Sequence, residues 1–324
     1  MVNGKKLVVS ASPHLRSTQT TTRIMLDVII SLIPALIAAI FIFGPRVISV
    51  TAVSVSSAVL AEYVSRKVMK RHQTIGDLSA VVTGLILALN LPVSIPYWIA
   101  AIGSIVAIVV VKQFFGGIGQ NFANPAITAR IVLLLSFGAQ MGNWVTPLSW
   151  KETVTTSATP LAVGYGAEGA PSLLDMFLGL RGGCLGETCA VALIIGGIYL
   201  IARKVISTAI PLTYIGTVAL IMLIAGKGDL GFVAFQVMGG GLLLGAFFMA
   251  TDYSTCPIKV RGKIIFGIGC GILTSLIRLF ASMTEAVSFA ILIMNLLVPF
   301  IDRATIPKPF GTPKKEKKSK EAAN

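Results

Sequence analysis

Ten runs of apolar residues, separated by short polar segments, occupy most of this 324-residue chain. Only 12% of the residues are charged, about half the proportion found in a typical soluble domain. A helix of roughly 20 apolar residues is long enough to cross a bilayer. The sequence therefore predicts an all-α polytopic membrane protein with no large extramembrane domain. The predicted spans cover residues 24–43, 48–64, 78–91, 97–111, 121–137, 187–202, 209–225, 232–251, 264–280 and 286–301.

The distribution of basic residues predicts how these spans are oriented. With the N-terminus in the cytoplasm, 21 of the 27 lysines and arginines fall on the inner side, four fall on the outer side, and Arg130 and Arg278 fall within spans. Cytoplasmic loops of membrane proteins carry such an excess of positive charge. Membrane topology, rather than nucleic-acid binding, therefore explains the net charge of +14. Both termini are predicted to be cytoplasmic, and the long loop after the fifth span extracytoplasmic.

A weak internal repeat relates the third and eighth spans. GLILALNLPVSIP (84–96) and GAFFMATDYSTCP (245–257) each begin with glycine and end with proline, with Asn90 and Thr251 at the same position. Two inverted five-helix repeats with broken middle helices are a transporter architecture; chance similarity of two apolar helices is the alternative. The predicted regions are a cytoplasmic tail (1–23), a first repeat (24–137), an extracytoplasmic loop (138–183), a second repeat (184–302) and a basic cytoplasmic tail (303–324).

The outer loop contains the most specific local motif, TTSATPL at residues 155–161. A threonine hydroxyl can accept a phosphoester, and a following proline holds the preceding residue extended. An ordinary Ser/Thr-rich loop is the alternative. The chain has no glycine-rich dinucleotide fingerprint, and its four cysteines form no CxxC pair or cluster, so no motif for NAD or an iron–sulfur cluster is present.

Seven segments in order along the chain carry a resemblance to a known family. They are SPHLRS (12–17), TTTRIMLDVIISLIPA (20–35), GGIGQNFANPA (116–126), TSATPLA (156–162), GGCLGET (182–188), FFMATD (247–252) and AVSFAILIMNLLVPFID (286–302). Together they resemble the D subunit of the Rnf electron-transport complex. The B subunit of the sodium-pumping NADH:quinone reductase is similar, with a longer N-terminus.

The resemblance implies a covalent flavin. In that family FMN is joined through its phosphate to the last threonine of an [ST]-G-A-T-like sequence, which falls here on Thr156, Ser157, Ala158 and Thr159, with Ser157 in place of the glycine. Thr159 is thus the implied attachment site. A flavin transferase is the implied maturation partner, and a second, noncovalent flavin, riboflavin, is also implied.

The function implied by the resemblance is that of one membrane subunit of a redox-driven ion pump. Electrons would pass between ferredoxin and NAD⁺, coupled to Na⁺ or H⁺ translocation, and the implied partners are the A, B, C, E and G subunits of the Rnf complex together with membrane lipid. Two alternatives stay open from the residues themselves. They are a solitary secondary transporter or channel for a small solute, and an assembly scaffold without a cofactor.

Polar residues inside predicted spans are costly and usually face the bundle interior. Asp27 follows Arg23 by four residues, so a helical ion pair between them is predicted. Arg130 is expected either in a buried structural pair or in contact with flavin or a partner. Asp252, at the expected break of the eighth span, is interpreted as a capping or packing residue or as a Na⁺ ligand; the same alternatives apply to Asn90.

Four further residues are candidates for structural or cofactor roles. Asn124, after a glycine-rich segment, indicates either close backbone packing or a flavin pocket. Glu187 and Glu285 are predicted to cap outer helix starts, because a carboxylate there meets the positive end of the helix dipole. Cys184 is interpreted as a packing residue rather than a redox group.

Overall fold

The computed structural model describes residues 19–151, 158–281 and 285–307. Within these ranges the chain is helical and contains no β-strand, which confirms the predicted all-α class. Thr156 and Ser157 of the loop motif, and both predicted cytoplasmic tails apart from a few residues, lie outside the described ranges.

A helix lies at each of the ten predicted apolar segments, and the described part of the outer loop contains three short α-helices and a 3₁₀ turn at Ser149–Lys151. The first half contains α1 (Thr21–Phe43), α2 (Arg46–Val68), α3 (Ser79–Leu89), α4 (Tyr97–Ile105, continued by a π-helix at Val106–Gln113) and α5 (Pro125–Ser136). The outer loop contains α6 (Gly138–Met141), α7 (Pro160–Val163) and α8 (Leu173–Leu178). The second half contains α9 (Ala190–Ala202), α10 (Ala209–Ala225), α11 (Leu230–Met238), α12 (Leu242–Leu244, continued by a π-helix at Gly245–Met249), α13 (Val260–Phe280) and α14 (Ala286–Thr305).

The lengths and apolar composition of these helices suit a multi-pass membrane protein. Among the described residues, α1, α2, α13 and α14 are long and apolar enough to cross a bilayer, and α11 with α12 makes a fifth span if the bent pair is counted as one. The other apolar segments form shorter helices of 10 to 17 residues. The total of ten spans therefore stays a prediction.

The eighth predicted span is broken, but at a different place from the one expected. The chain bends by 63° between α11 and α12, where Gly240 and Gly241 adopt left-handed φ values of +62° and +68° that glycine accepts without steric cost. The sequence predicts the break at the FFMATD segment, but that segment lies in and just after the π-helix Gly245–Met249. The glycine triplet 239–241 was the signal for the true position.

The end of α3 is completed by a distant part of the chain. The backbone N–H of Gly186 donates to the carbonyl of Leu89 at 2.7 Å, and that of Leu185 donates to the carbonyl of Leu91 at 3.0 Å. Carbonyls at a helix C-terminus have no partner within the helix. The GGCLGET segment, which carries both donors, therefore supplies hydrogen-bond partners for the carbonyls at the C-terminal end of α3.

Helix pairs within each half hold the bundle together. Helix α2 packs along α3 and α4, helix α10 packs along α13, and α13 packs along α14. The two halves meet chiefly through α1 and α9. A methyl group on Gly196 of α9 would overlap the backbone oxygen of Ser31 on α1, so this contact requires a residue without a side chain, as is common where membrane helices approach closely.

Candidate functional site

Thr159 occupies the N-cap position just before the short helix α7. Its carbonyl accepts hydrogen bonds from the N–H groups of Ala162 (2.9 Å) and Val163 (3.1 Å), while its own side chain caps nothing. The residue is 6% exposed, and its hydroxyl oxygen is buried without a hydrogen-bond partner among the described residues. Burying a hydroxyl without a partner costs about 1–3 kcal/mol. The side chain predicted to carry a phosphoester is therefore one whose hydroxyl the described part of the protein leaves unsatisfied.

The segment around Thr159 is held against α11. The ring of Tyr165 packs edge-on against Phe232 and Phe235, with centroids 5.9 and 5.5 Å apart. A methyl group on Gly239 would lie 3.1 Å from the Leu161 side chain. Ala158, the neighbour of Thr159 in the motif, is exposed. Aromatic and aliphatic contacts thus position the threonine beside the break between α11 and α12.

Two arginines satisfy the free carbonyls at the C-terminal end of α11. Arg181, 2% exposed, donates to the carbonyl of Met238 at 2.7 Å. Arg278 donates to the carbonyls of Gln236 at 2.6 Å and Gly239 at 2.9 Å. Cations are favoured at the negative end of a helix dipole. These side chains therefore stabilise the break next to the Thr159 segment, a role that the sequence did not indicate for either residue.

Arg130 lies in a buried network that joins both halves of the chain. Its guanidinium forms an ion pair with Glu285, donates to the side-chain oxygen of Asn90 at 2.6 Å and contacts the sulfur of Cys184 at 3.1 Å. The expectation of a buried structural pair is confirmed. A flavin or partner contact stays a prediction.

Glu285 lies at a helix start as predicted and Glu187 does not, and neither makes a cap hydrogen bond. Glu285 occupies the position before α14, but its side chain makes no cap hydrogen bond and pairs with Arg130 instead. Glu187 lies in the turn before α9, which begins three residues later, and is 6% exposed. Because buried guanidinium groups need carboxylates nearby, Glu285 serves Arg130 rather than the end of α14, while the backbone carbonyl of Glu187 accepts from Arg181 at 2.6 Å.

The predicted pair between Arg23 and Asp27 is replaced by a contact between the two halves. Asp27 on α1 accepts a hydrogen bond from Tyr199 at 2.9 Å and lies 3.4 Å from the side chain of Arg203, both on or just after α9. Spacing within one helix suggested a local partner. The packing of α1 against α9 supplies one from 172 residues away.

A cavity lies between the ends of α1, α3, α5, α9 and α12. Asn124 lines it and also caps α5, since its side-chain oxygen accepts from the N–H groups of Ala126 (3.0 Å) and Ile127 (3.3 Å). Its amide donates to the carbonyl of Met249 at 3.1 Å. Asn124 therefore makes a packing contact with the backbone of Met249 and also lines a cavity.

Asp252 lines the same cavity and caps the turn that follows the π-helix. Its carboxylate accepts from the N–H (3.3 Å) and hydroxyl (2.9 Å) of Ser254 and from the hydroxyl of Thr255 at 3.3 Å. The capping interpretation is confirmed. Ligation of Na⁺ stays a prediction, and among the described residues no group of three or more His, Cys, Asp or Glu side chains is arranged to hold a metal ion.

Comparison with known proteins identifies the chain's relatives. Residues 8–311 match the model of the NQR2, RnfD, RnfE family. The chain belongs to this family. A protein of Acetobacterium woodii, named as the D subunit of the Na(+)-translocating ferredoxin:NAD(+) oxidoreductase complex, is 46% identical, with 98% of this chain and 100% of that protein covered.

Two further relatives of this NQR2, RnfD, RnfE family member carry related names. The D subunit of the proton-translocating ferredoxin:NAD(+) oxidoreductase complex of Clostridium ljungdahlii is 41% identical over 94% of this chain and 96% of its own length. The D subunit of the ion-translocating oxidoreductase complex of Stutzerimonas stutzeri is 38% identical over 89% and 92%. The resemblance based on motifs is thereby confirmed over nearly the whole chain.

One buried cluster of this family member was not predicted from the sequence. Glu62 of α2 is fully buried and accepts hydrogen bonds from Lys112 (3.0 and 3.1 Å), Gln113 (2.9 Å) and Thr74 (3.1 Å). Lys112 also donates to the hydroxyl of Ser79. A carboxylate within an apolar run was the available signal, because such residues are usually paired and often functional.

Proposed function

We propose that this chain is the D subunit, embedded in the membrane, of an ion-translocating ferredoxin:NAD⁺ oxidoreductase. The observation that carries the proposal is the full-length match to proteins of that name, at 46% identity for the relative from A. woodii. The chain acts as one subunit of the enzyme, and NAD⁺ and ferredoxin are handled by sister subunits. The A, B, C, E and G subunits of the complex and membrane lipid are its partners.

The coupling ion is Na⁺ or H⁺. The relatives that support the proposal differ in this respect, since one is named Na⁺-translocating and another proton-translocating. Asp252 is the proposed ligand if the ion is Na⁺. Its carboxylate lines the cavity, and carboxylate and carbonyl oxygens are the donors that hard cations prefer.

Thr159 carries covalent FMN in this proposal. The unsatisfied hydroxyl supports it, because esterification by a phosphate removes the buried O–H donor that the described residues leave unpaired. A flavin transferase makes the ester bond, recognising Thr156, Ser157 and Ala158 beside the acceptor. When bound, the flavin supplies a redox centre for electron transfer on a chain that has no redox motif of its own. Leu161 and Tyr165 fix the segment against α11.

A second, noncovalent flavin, riboflavin, occupies the cavity lined by Asn124. The cavity combines apolar side chains such as Met25 and Phe248 with the polar groups of Asn121, Asn124 and Asp252. Cofactor pockets are mostly apolar with a few placed polar groups, which supports the assignment.

The ten apolar helical segments form two inverted five-span repeats. The internal contacts of the two halves support this arrangement, because α2 packs on α4 and α4 on α5 in the first half, while α10 packs on α13 and α13 on α14 in the second. Both termini are cytoplasmic and the loop carrying Thr159 is extracytoplasmic, as the charge distribution favours.

The experiment that tests the covalent flavin is fluorescence of the denatured subunit. The complex is purified, separated in a denaturing gel and illuminated, for the wild type and for Thr159→Ala, Thr159→Ser and Ser149→Ala. The wild type and Ser149→Ala, a hydroxyl variant in the same loop, are expected to fluoresce, and Thr159→Ala to be dark. Loss of all flavin from the denatured wild-type subunit would leave a scaffold or a solitary transporter as the better description.

A further inference from the structure

A chain of hydrogen bonds connects the cavity to the loop between α2 and α3. Lys112 and Ser79 both line the cavity. The ammonium of Lys112 donates to the hydroxyl of Ser79, and that hydroxyl donates to the carboxylate of Asp77 at 2.6 Å. Asp77 is half-buried in the short turn Ile75–Asp77, which belongs to a loop predicted to be cytoplasmic.

The π-helix that continues α4 positions the lysine at the cavity end of this series of hydrogen bonds. Consecutive residues of an α-helix point about 100° apart, yet Lys112 and Gln113 are both fully buried and both bond to the carboxylate of Glu62. The wider π-helix Val106–Gln113 permits this. Insertions of this kind recur at functional sites. The local distortion thus holds a lysine, whose proton can be released, at the cavity wall.

Hydrogen bonds to neighbouring acceptors hold the ammonium of Lys112, and the residue still lines the cavity. Glu62 takes two of its three hydrogen bonds and Ser79 takes the third. Among the described residues, the other charged and titratable groups facing this cluster are Arg66 on α2, Arg71 and Asp77 in the adjoining loop, and Asp252 and Tyr253 on the far side of the cavity.

We propose that Asp77, Ser79 and Lys112 form a proton-delivery chain from the cytoplasmic side into the cavity. This inference rests on the proposed function, in which the cavity holds a flavin. When bound there, a flavin would supply a redox centre that takes up protons on reduction, and a buried site can receive a proton only through fixed side chains or water.

The proton balance follows the hydrogen bonds. Lys112 would release one proton from its ammonium group into the cavity. Asp77 would take up a proton from the cytoplasmic solution and donate it to the oxygen of Ser79 as the Ser79 hydroxyl passes its own proton to the neutral amine. Glu62 keeps its charge throughout and positions Lys112. The electrons would arrive through the sister subunits, and the net change is one proton taken from the cytoplasm for each proton released into the cavity.

Lys112→Arg is the sharpest test in the intact complex. Arginine keeps the positive charge and the ion pair with Glu62, but it does not release its proton at accessible pH. Ser79→Ala interrupts the chain in the middle, and Ser79→Thr restores a hydroxyl. Ser57→Ala is the matched control, because Ser57 on α2 does not line the cavity and its hydroxyl bonds only to the backbone carbonyls of Val53 and Ser54 among the described residues.

The readouts are proton uptake by a pH-indicator dye during rapid reduction, the solvent isotope effect on that uptake, and the pH dependence of the flavin midpoint potential. Lys112→Arg and Ser79→Ala are expected to slow proton uptake about tenfold or more, in the range of general acid–base effects, with unchanged flavin content. Ser79→Thr and Ser57→Ala are expected to behave like the wild type.

Two results would overturn the inference in distinguishable ways. Normal proton uptake and an unchanged isotope effect in both Lys112→Arg and Ser79→Ala, with flavin bound, would reject the proton chain and leave the proposed function intact. A wild-type complex in which this chain holds no noncovalent flavin would reject the assignment of the cavity and the proton chain with it.

Discussion

Arg130 donates a hydrogen bond of 2.6 Å to the side-chain oxygen of Asn90, whose amide contacts the sulfur of Met249 at 3.4 Å. The end of α3, the middle of α5 and the π-helix after α12 therefore meet at one buried point. The two segments that the internal repeat relates are thus in direct contact in the fold. The ion pair of Arg130 with Glu285 adds α14 to the same junction.

Removal of the Arg130 charge is expected to destabilise this junction strongly. Arg130→Gln leaves the carboxylate of Glu285 largely buried without its partner, which costs about 3–5 kcal/mol for a broken buried pair. Thermal unfolding of the purified protein in detergent measures the loss. The double variant Arg130→Gln with Glu285→Gln is expected to recover part of it, because no charge is then left unpaired. Equal stability of Arg130→Gln and the wild type would contradict the account.

The close contact between α1 and α9 predicts different effects on stability when two glycines are replaced by alanine. Gly196→Ala is expected to lower the free energy of unfolding by about 1–3 kcal/mol, since the added methyl overlaps the backbone of Ser31. Gly216→Ala, in open space on α10, is expected to be neutral or stabilising by up to about 1 kcal/mol, because alanine favours helix. The two unfolding midpoints, measured side by side, check the close approach; a neutral Gly196→Ala would argue against it.

Cys256 is expected to react slowly with thiol reagents at neutral pH. Burial raises the pKa of its thiol to about 11, and the thiolate is the reactive form. In a variant with the other three cysteines replaced, the alkylation rate should rise about tenfold per pH unit between about pH 7 and 10 and then level off. The unfolded protein should level off near the ordinary value of about 8.5. A plateau below about pH 9 in the folded protein would contradict this burial.

Replacement of Asp252 is expected to change the response of electron transfer to sodium if Na⁺ is the coupling ion. Asp252→Asn removes a ligand charge from the cavity wall and is expected to raise the sodium concentration for half-maximal electron transfer about tenfold, equivalent to about 1.4 kcal/mol. Asp302→Asn is the matched control, because the carboxylate of Asp302 accepts only from the N–H of Ile258 among the described residues. An unchanged sodium response in Asp252→Asn would limit this residue to its capping role.

Local patterns in the sequence were sufficient for some features of the fold and not for others. Apolar runs predicted the helices because burial in lipid or protein requires such composition, and the glycine-rich segment before Asn124 pointed to a residue that does line a cavity. Partners distant in the sequence were not predictable. Asp27 pairs with Arg203 rather than Arg23, and Glu285 pairs with Arg130, because helix packing brings together residues that no local spacing relates.

The candidate site shows the same limit. Thr159 was found through a resemblance, but its unsatisfied hydroxyl is visible only once α7 and α11 are packed together. The Glu62–Lys112 cluster depends on a π-helix. Neither the composition nor the periodicity of that apolar run predicts a π-helix there. Tertiary packing therefore decides which polar residues of this chain share a site.

Mass analysis of peptides from this chain, isolated with the active complex, tests the central claim most directly. The peptide containing Thr159 is predicted to carry one FMN, joined as a phosphoester with loss of water, and fragmentation is predicted to locate it on that threonine. An unmodified Thr159 in a fully active complex would contradict the account.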